Sequence, residues 1–220
     1  MQVCGVDEAG RGPVIGPLVV ASFSISEDKL KQIESLGVKD SKKLTAKRRK
    51  ELFSEILGLQ GKYYFKVLSP NFLNKEMKNY TLNEIELLAF KEAIVGLKAP
   101  INRAICDSCD VNANRFSDNL KEALGDEFAS CEIIASHKAE DKYPIVAAAS
   151  ILAKVKRDEL IKKIEEDEDV SFGSGYPSDP KTIKFLEDYY KLNNSFPDFV
   201  RTEWKTLTNI KCSVSQRKLF

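Results

Sequence analysis

Two adjacent carboxylates end the first short apolar run of the chain. Val3 to Val6 is followed by Asp7 and Glu8, and Gly10-Arg11-Gly12 comes shortly afterwards. Neighbouring acids at a strand end repel each other unless a cation lies between them. An arginine between two glycines suits an anion, because glycine permits close backbone approach and the guanidinium donates paired hydrogen bonds. The pattern therefore predicts a metal ion beside a phosphate.

Carboxylates recur at the ends of other predicted strands. Asp107 follows the strand Ile101 to Cys106, while Glu140 and Asp141 lie just past the strand Cys131 to Ala135. Ligands of open α/β sheets collect outside the carboxyl ends of the strands. Oxygen-only ligation suits Mg²⁺ or Mn²⁺. Each acid alone is typical of a cap or a solvated turn, and the recurrence is what predicts a divalent-metal site.

Polyanion binding has to come from local patches, because 34 basic and 33 acidic residues leave a formal net charge of only +1. One such patch precedes and opens a predicted helix. A solvated helix face is the competing interpretation of this patch. The single histidine, His137, fits a surface or supporting position better than a general base. The basic residues of the patch are Lys39, Lys42, Lys43, Lys47, Arg48, Arg49 and Lys50.

The composition is that of an ordinary globular protein. The chain has 220 residues, of which 43% are hydrophobic and 30% charged, which fits one domain with at most a small appendage. No apolar run approaches the roughly 20 residues that span a bilayer, and no secretory signal is visible. Five scattered cysteines indicate free thiols in a reducing compartment, so we expect a cytoplasmic protein.

The hydrophobic pattern predicts strands that alternate with helices after an initial pair of strands, which favours an α/β fold with a mixed sheet flanked by helices. Strands are predicted at Val3 to Val6, Leu18 to Ile25, Tyr63 to Leu68, Ile101 to Cys106 and Cys131 to Ala135, with Gly10 to Pro17 as a turn or bulge. Helices are predicted from Ser26 to Gly37, Thr45 to Gly58, the capping box at Thr81 through Val95, Ala113 to Leu124, and Ile145 to about Glu166.

The pattern changes after Asp169. Residues 172–177 read as a loop, Asp179-Pro180 starts a helix that ends near Leu192, and a last helix is predicted near Phe199 to Leu207. We therefore expect two parts, a catalytic domain at residues 1–169 and a small C-terminal helical appendage at residues 170–220.

Six motifs in order along the chain resemble those of ribonuclease HII, and the archaeal form most closely. The order and the coverage of nearly the whole chain make the resemblance specific. The matching stretches are Gly5 to Pro13, Val38 to Leu44, Asp107 to Asn112, His137 to Pro144, Ala147 to Val155 and Gly173 to Pro180.

The resemblance implies a ribonuclease H-like fold and endonucleolytic cleavage of the RNA strand of RNA–DNA hybrids. Cleavage on the 5′ side of single ribonucleotides embedded in duplex DNA is also implied, by two-metal hydrolysis with Mn²⁺ or Mg²⁺ that leaves a 5′-phosphate and a 3′-hydroxyl. The family's metal-binding acids match Asp7, Glu8 and Asp107. Its fourth acid follows a Lys-Ala pair and is usually aspartate. Position favours Glu140 for this role, whereas residue type favours Asp141.

The resemblance also implies how the substrate is held. Backbone groups of Gly10, Arg11 and Gly12 would read the 2′-hydroxyl, which distinguishes RNA from DNA locally, and the Tyr176 ring would stack on the deoxyribose beyond the junction. Phosphates would be held by Lys39, Lys42 and Lys43, and the C-terminal appendage would complete the substrate cleft. A monomer without membrane contact is implied. Residues 216–220 weakly resemble a truncated sliding-clamp box without its aromatic pair, and a polar tail is the favoured interpretation.

Three other functions compete with this one. The first is another nuclease or strand-transfer enzyme of the same fold, since fold and acids alone do not fix the substrate. The second is a hybrid-binding module that has lost its chemistry. The third is glycoside hydrolysis by a carboxylate pair, which would leave the lysine cluster without a role.

Overall fold

A computed structural model of the chain describes residues 1–38 and 44–217, without the side chains of residues 215–217. It contains a mixed sheet of five strands, as predicted. The strands are β1 (Gln2–Ala9), β2 (Leu18–Ser26), β3 (Lys62–Leu68), β4 (Arg103–Asp107) and β5 (Glu132–Ser136). Their order across the sheet is β3-β2-β1-β4-β5, with β1 antiparallel to β2 and parallel to β4, and β4 parallel to β5.

Several helices begin at capping residues that can be recognised in the sequence. Thr45, Ser69, Thr81, Asn112 and Asp179 each accept a backbone hydrogen bond at the start of a helix. The helices are α1 (Leu30–Ser35), α2 (Ala46–Gly58), α3 (Pro70–Glu76), α4 (Leu82–Val95), α5 (Ala113–Leu124), α6 (Ala139–Lys142), α7 (Pro144–Asp167), α8 (Pro180–Asn193) and α9 (Lys205–Arg217).

Two compact units make up the chain, and each has its own hydrophobic core. Unit 1 contains residues 1–9, 19–67 and 81–156, and unit 2 contains residues 10–18, 68–80 and 157–220. The core of unit 1 includes Phe23, Leu52 and Ile151, and that of unit 2 includes Phe172 and Leu207. Both units combine stretches that are distant in sequence, whereas the predicted division at residue 170 is continuous and stays a prediction.

A close approach between β1 and α7 shapes the core of unit 1. A Cβ atom added at Gly5 would lie 2.2 Å from the carbonyl oxygen of Ile145, a distance that no side chain tolerates. Glycine at this position lets the helix backbone lie directly against the strand. The small residues Ala147 to Ala149 on the same helix are buried as well. The sequence therefore brings the first turns of α7 against the strand that carries Asp7.

The last helix differs from the prediction, which placed it at Phe199 to Leu207. α9 begins only at Lys205, because the backbone of the preceding residues bonds to the loop after β1. Gly16 N donates to Phe199 O at 2.9 Å, Arg201 N donates to Val14 O at 2.8 Å, and Val200 forms a β-bridge with Ile15. These long-range bonds replace the helical ones.

Helix α3 was not predicted from the sequence. Its start carries a usual signal, since Ser69 accepts from Phe72 N and Pro70 occupies the first turn. None of the helices in the described part of the chain is long and apolar enough to cross a membrane.

Candidate active site

Three carboxylates meet at the carboxyl ends of two adjacent parallel strands in unit 1. Asp7 and Glu8 lie on β1, and Asp107 is the last residue of β4. Their ligand oxygens all lie within 4.8 Å of one another. Asp7 is only 4% exposed, and its Oδ1 accepts a hydrogen bond from Glu8 N at 2.7 Å. The predicted neighbourhood of these three acids is therefore present in the fold.

The charges in this group favour a cation. The pKa of Asp7 is raised well above its ordinary value, first by burial and then by the negative charges of Glu8 and Asp107. Three carboxylates at such distances are stable together only when a proton or a cation offsets their repulsion. An all-oxygen donor set at this spacing matches the preference of Mg²⁺ and Mn²⁺. The residues present therefore fit a divalent metal ion.

The structure around the start of α6 distinguishes between the two candidates for the fourth acid. Asp107 Oδ1 accepts a hydrogen bond from the backbone amide of Ala139 at 2.7 Å, which ties the end of β4 to the residue before Glu140. Glu140 is 6% exposed, whereas Asp141 faces solvent. Lys138 adopts a left-handed conformation with φ of 55° at the turn into the helix. Burial and connectivity therefore favour Glu140 over Asp141.

Two residues of α7 that sequence reasoning did not select act on Asp7. The hydroxyl of Ser150 and the positive charge of Lys154 both lower the pKa of Asp7, against the larger effects that raise it. Ser150 is fully buried. From the sequence it is considered only as part of the motif Ala147 to Val155. The spacing of four residues, which places both side chains on one helix face, is the signal that was available.

The Gly10-Arg11-Gly12 element and Tyr176 belong to unit 2 and lie close together there. Gly10 has φ of +92°, and an added Cβ would lie 2.3 Å from Arg157 Nε, so only glycine fits. An added Cβ at Gly12 would be 3.5 Å from the Tyr176 ring. Tyr176 is 41% exposed, which leaves part of its ring accessible to a ligand.

Unit 2 holds the loop after β1 from several sides. Val14 N donates to Gly175 O at 2.8 Å, which ties the loop to the residue before Tyr176. The buried Arg201 donates from Nε to Gly16 O at 2.8 Å and from a terminal nitrogen to Arg11 O at 3.3 Å. A rigid backbone of this kind is suited to present amide groups to a ligand.

The remaining predicted site residues are those of the basic patch and His137. Lys39, Lys42 and Lys43 lie outside the described residues. In the same basic patch, Arg48 forms ion pairs with Glu51 and Glu55 on α2, which agrees with a solvated helix face for that part. His137 is exposed.

The mixed sheet, with acids at the ends of β1 and β4, defines the class of metal-dependent nucleases with a ribonuclease H-like fold. The family described as Ribonuclease HII matches residues 4–207. A relative named ribonuclease HII from Pyrococcus furiosus is 46% identical over 218 residues, covering 99% of this chain and 95% of the relative.

Solved structures give the same result. The crystal structure of ribonuclease H2 from Pyrococcus horikoshii has 41% identity and a TM-score of 0.90, with 98% of this chain and 100% of that chain covered. The ribonuclease HII of Archaeoglobus fulgidus, solved in a complex with PCNA, has 42% identity and a TM-score of 0.83, with 93% and 96% covered. The chain belongs to the ribonuclease HII family, and it is a type 2 ribonuclease H.

Proposed function

We propose that this enzyme cleaves the RNA strand of RNA–DNA hybrids and cuts on the 5′ side of single ribonucleotides embedded in duplex DNA. The products would be a 5′-phosphate and a 3′-hydroxyl. The observation that carries the proposal is the group formed by Asp7, Glu8 and Asp107, whose ligand oxygens lie within 4.8 Å of one another. Membership of the ribonuclease HII family supports the substrate class.

We assign two divalent ions, Mn²⁺ or Mg²⁺, to the acidic group. Asp7 and Asp107 with Glu140 would hold one ion, and Asp7 with Glu8 would hold the other. When bound, the ions supply Lewis-acid activation of water and neutralise charge on the leaving oxygen. The amide of Ala139 fixes the orientation of Asp107. Ser150 and Lys154 favour the ionised form of Asp7 that a cation requires.

Selection for RNA is assigned to the loop after β1. The backbone groups of Gly10, Arg11 and Gly12 would contact the 2′-hydroxyl, since glycine allows a ligand to approach the main chain. Tyr176 would stack on the sugar of the next nucleotide, which we propose to be a deoxyribose. The short distance between Gly12 and the Tyr176 ring supports a joint role for both. Lys39, Lys42 and Lys43 are proposed as phosphate contacts.

One assay tests this function directly. The substrate is a DNA duplex with one ribonucleotide, and the controls are the same duplex without it and a continuous RNA–DNA hybrid. Cleavage should require Mg²⁺ or Mn²⁺, stop with a chelator, and occur 5′ to the ribonucleotide. Cleavage of the all-DNA duplex at a similar rate would favour the competing nuclease of the same fold, and tight binding without cleavage would favour the hybrid-binding module.

A sliding clamp is a second candidate partner. The proposal is supported by the Archaeoglobus fulgidus relative, which was solved in a complex with PCNA. Residues 218–220 of the tail lie outside the described residues, so the test is biochemical. A pull-down with the clamp should depend on Phe220, and equal capture of a chain that ends at Arg217 would contradict a role of the tail. We further propose a cytoplasmic monomer, consistent with the free thiols of its cysteines.

A further inference from the structure

Helix α3 and the turn after it pack against the rest of unit 2 through one face. Pro70 and Leu73 are buried on this face. Between them and the end of the helix, the Asn74 side chain donates to Val200 O at 2.9 Å and accepts from Thr202 N at 2.7 Å. Asn74 therefore holds the residues on both sides of Arg201, whose side chain in turn bonds to the carbonyl of Arg11.

The opposite face of α3 points to solvent. Helical turns continue beyond Glu76, since Met77 N donates to Leu73 O at 2.9 Å and Asn79 N donates to Glu76 O at 3.0 Å. At about 100° per residue, the side chains opposite the buried face combine two cations, two amides and one aromatic ring. Glu76 borders this face and is partly buried. The α3 face consists of the exposed residues Asn71, Phe72, Lys75, Lys78 and Asn79.

The composition of the α3 face fits a nucleic-acid backbone. Lysine neutralises phosphates, and asparagine donates hydrogen bonds to phosphate oxygens. Phe72, which is 41% exposed, offers a ring that can pack against a sugar or a base. Among the described residues, neither Lys75 nor Lys78 forms an ion pair, and both lysines are exposed to solvent. An acidic protein partner would match the lysines as well, but it would not explain an aromatic ring between amides.

We propose that the α3 face binds the sugar–phosphate backbone of the duplex that flanks the cleavage site. The inference rests on the proposed function, because it takes the substrate to be a nucleic-acid duplex. Two observations link the face to substrate binding. The face belongs to the same compact unit as Gly10-Arg11-Gly12 and Tyr176, and the hydrogen bonds of Asn74 and Arg201 join α3 to that loop through a short rigid path. The face adds affinity without reading the ribonucleotide.

The test compares Lys75→Gln/Lys78→Gln with a control, Lys31→Gln/Lys163→Gln, which removes the same charge at other exposed positions. KM is measured on ribonucleotide-containing duplexes with short and with long flanks on each side. The wild-type enzyme and the control should bind the long duplex more tightly than the short one. The Lys75/Lys78 variant should lose most of this difference. Between about 50 and 200 mM salt, its KM should rise about tenfold less than that of the wild type, because two phosphate contacts are missing.

Phe72→Ala provides an independent measurement, since it changes no charge. It should raise KM on the long duplex several-fold and leave the salt dependence as in the wild type. Equal KM values for the Lys75/Lys78 variant and the control on all duplexes would overturn the inference while leaving the proposed function intact. If the wild-type enzyme did not cleave the ribonucleotide substrate, the proposed function would fail. Binding of the same variants to labelled duplex DNA, followed by fluorescence anisotropy, would then still decide the role of the α3 face, and selective capture of an acidic protein instead would overturn it.

Discussion

The Asp107 carboxylate accepts a hydrogen bond from the backbone amide of Ala139, with 2.7 Å between the two atoms. This contact joins the end of β4 to the first residue of α6 and fixes the direction in which the next residue, Glu140, leaves the chain. A candidate metal ligand thereby positions a second one. Of the two adjacent acids that follow this contact, Glu140 is buried and Asp141 is exposed.

Glu140→Gln and Asp141→Asn distinguish the two candidates for the fourth acid. We expect Glu140→Gln to lower kcat by about 10²–10³-fold, the loss typical of a group that stabilises the charge of a transition state. Asp141→Asn should stay within about twofold of the wild type, because an exposed charge is screened by solvent and salt. The measurement is steady-state cleavage of the single-ribonucleotide duplex. A large loss in Asp141→Asn alone would reverse the assignment.

Asp7→Asn should abolish cleavage and leave hybrid binding largely intact. Asp7 lies at the centre of the acidic group and is proposed to touch both ions, whereas the contacts proposed to hold the substrate come from other residues. Activity is measured with saturating Mg²⁺ or Mn²⁺, and affinity by anisotropy in a chelator. Normal turnover of this variant would refute the metal assignment.

The same variant should stabilise the metal-free protein at neutral pH. Burial and two neighbouring charges raise the pKa of Asp7, so the folded state holds this proton more tightly than the unfolded state does. The stability of the metal-free wild type therefore falls as the pH rises from about 4, the ordinary carboxyl value, through the raised pKa. Asp7→Asn removes the titrating carboxyl group, so the stability of the variant should not fall in this way.

Thermal unfolding in a chelator checks this expectation. The Tm of Asp7→Asn minus that of the wild type should grow between pH 4 and pH 8, by about 2–4 °C for each kcal/mol of repulsion removed. Added Mg²⁺ should raise the Tm of the wild type more than that of the variant. A Tm difference that is independent of pH would show that Asp7 titrates normally.

Tyr176→Ala should impair cleavage at a single embedded ribonucleotide more than cleavage within a long RNA–DNA hybrid. The proposed stacking partner is a deoxyribose beyond the junction. A single embedded ribonucleotide is always followed by a deoxyribose, whereas a ribonucleotide within a long RNA strand is followed by another ribose. Tyr63→Ala is a suitable control, because Tyr63 is also an exposed tyrosine and lies on β3. Equal losses of kcat/KM on both substrates would argue against the junction role.

Four of the five cysteines should react in two groups, while Cys109 is intermediate in exposure. Burial raises the pKa of the Cys4 and Cys106 thiols, and Cys131 is also buried, so these thiols should resist alkylation in the native state. Cys212 is exposed and should react first. Mass spectrometry after a short iodoacetamide pulse, with and without denaturant, separates the two groups. Rapid native labelling of Cys106 would mean that the end of β4 opens locally.

The sequence predicted the sheet and its acids well, because the signals are local. Runs of β-branched residues marked the first two strands, short apolar runs marked the other three, and Asp7, Glu8 and Asp107 were recognisable by their place at strand ends. The capping box at Thr81 marked α4 correctly. Each of these features depends on a few neighbouring residues, whose types alone favour the observed conformation.

What could not be predicted depends on contacts between distant parts of the chain. Residues 199–204 have a helical pattern, but their backbone bonds to Val14 and Gly16 instead. The hydrogen bond that ties Ala139, the residue before Glu140, to Asp107 joins residues 32 apart. The position of the α3 face depends on the hydrogen bond from Asn74 to Val200, which lies 126 residues further along the chain. Pairings at such separations leave no periodic signal.

The bond from Arg201 to the carbonyl of Gly16 spans 185 residues of sequence, and this span has a consequence for synthesis on the ribosome. The segment from Gly10 to Gly16 leaves the ribosome early, yet its anchors at Gly175 and Arg201 are made last. A nascent or prematurely terminated chain therefore carries the acids of the candidate metal site before the segment proposed to select RNA is held in its final shape. That segment acquires these anchors only after Gly175 and Arg201 have been synthesised.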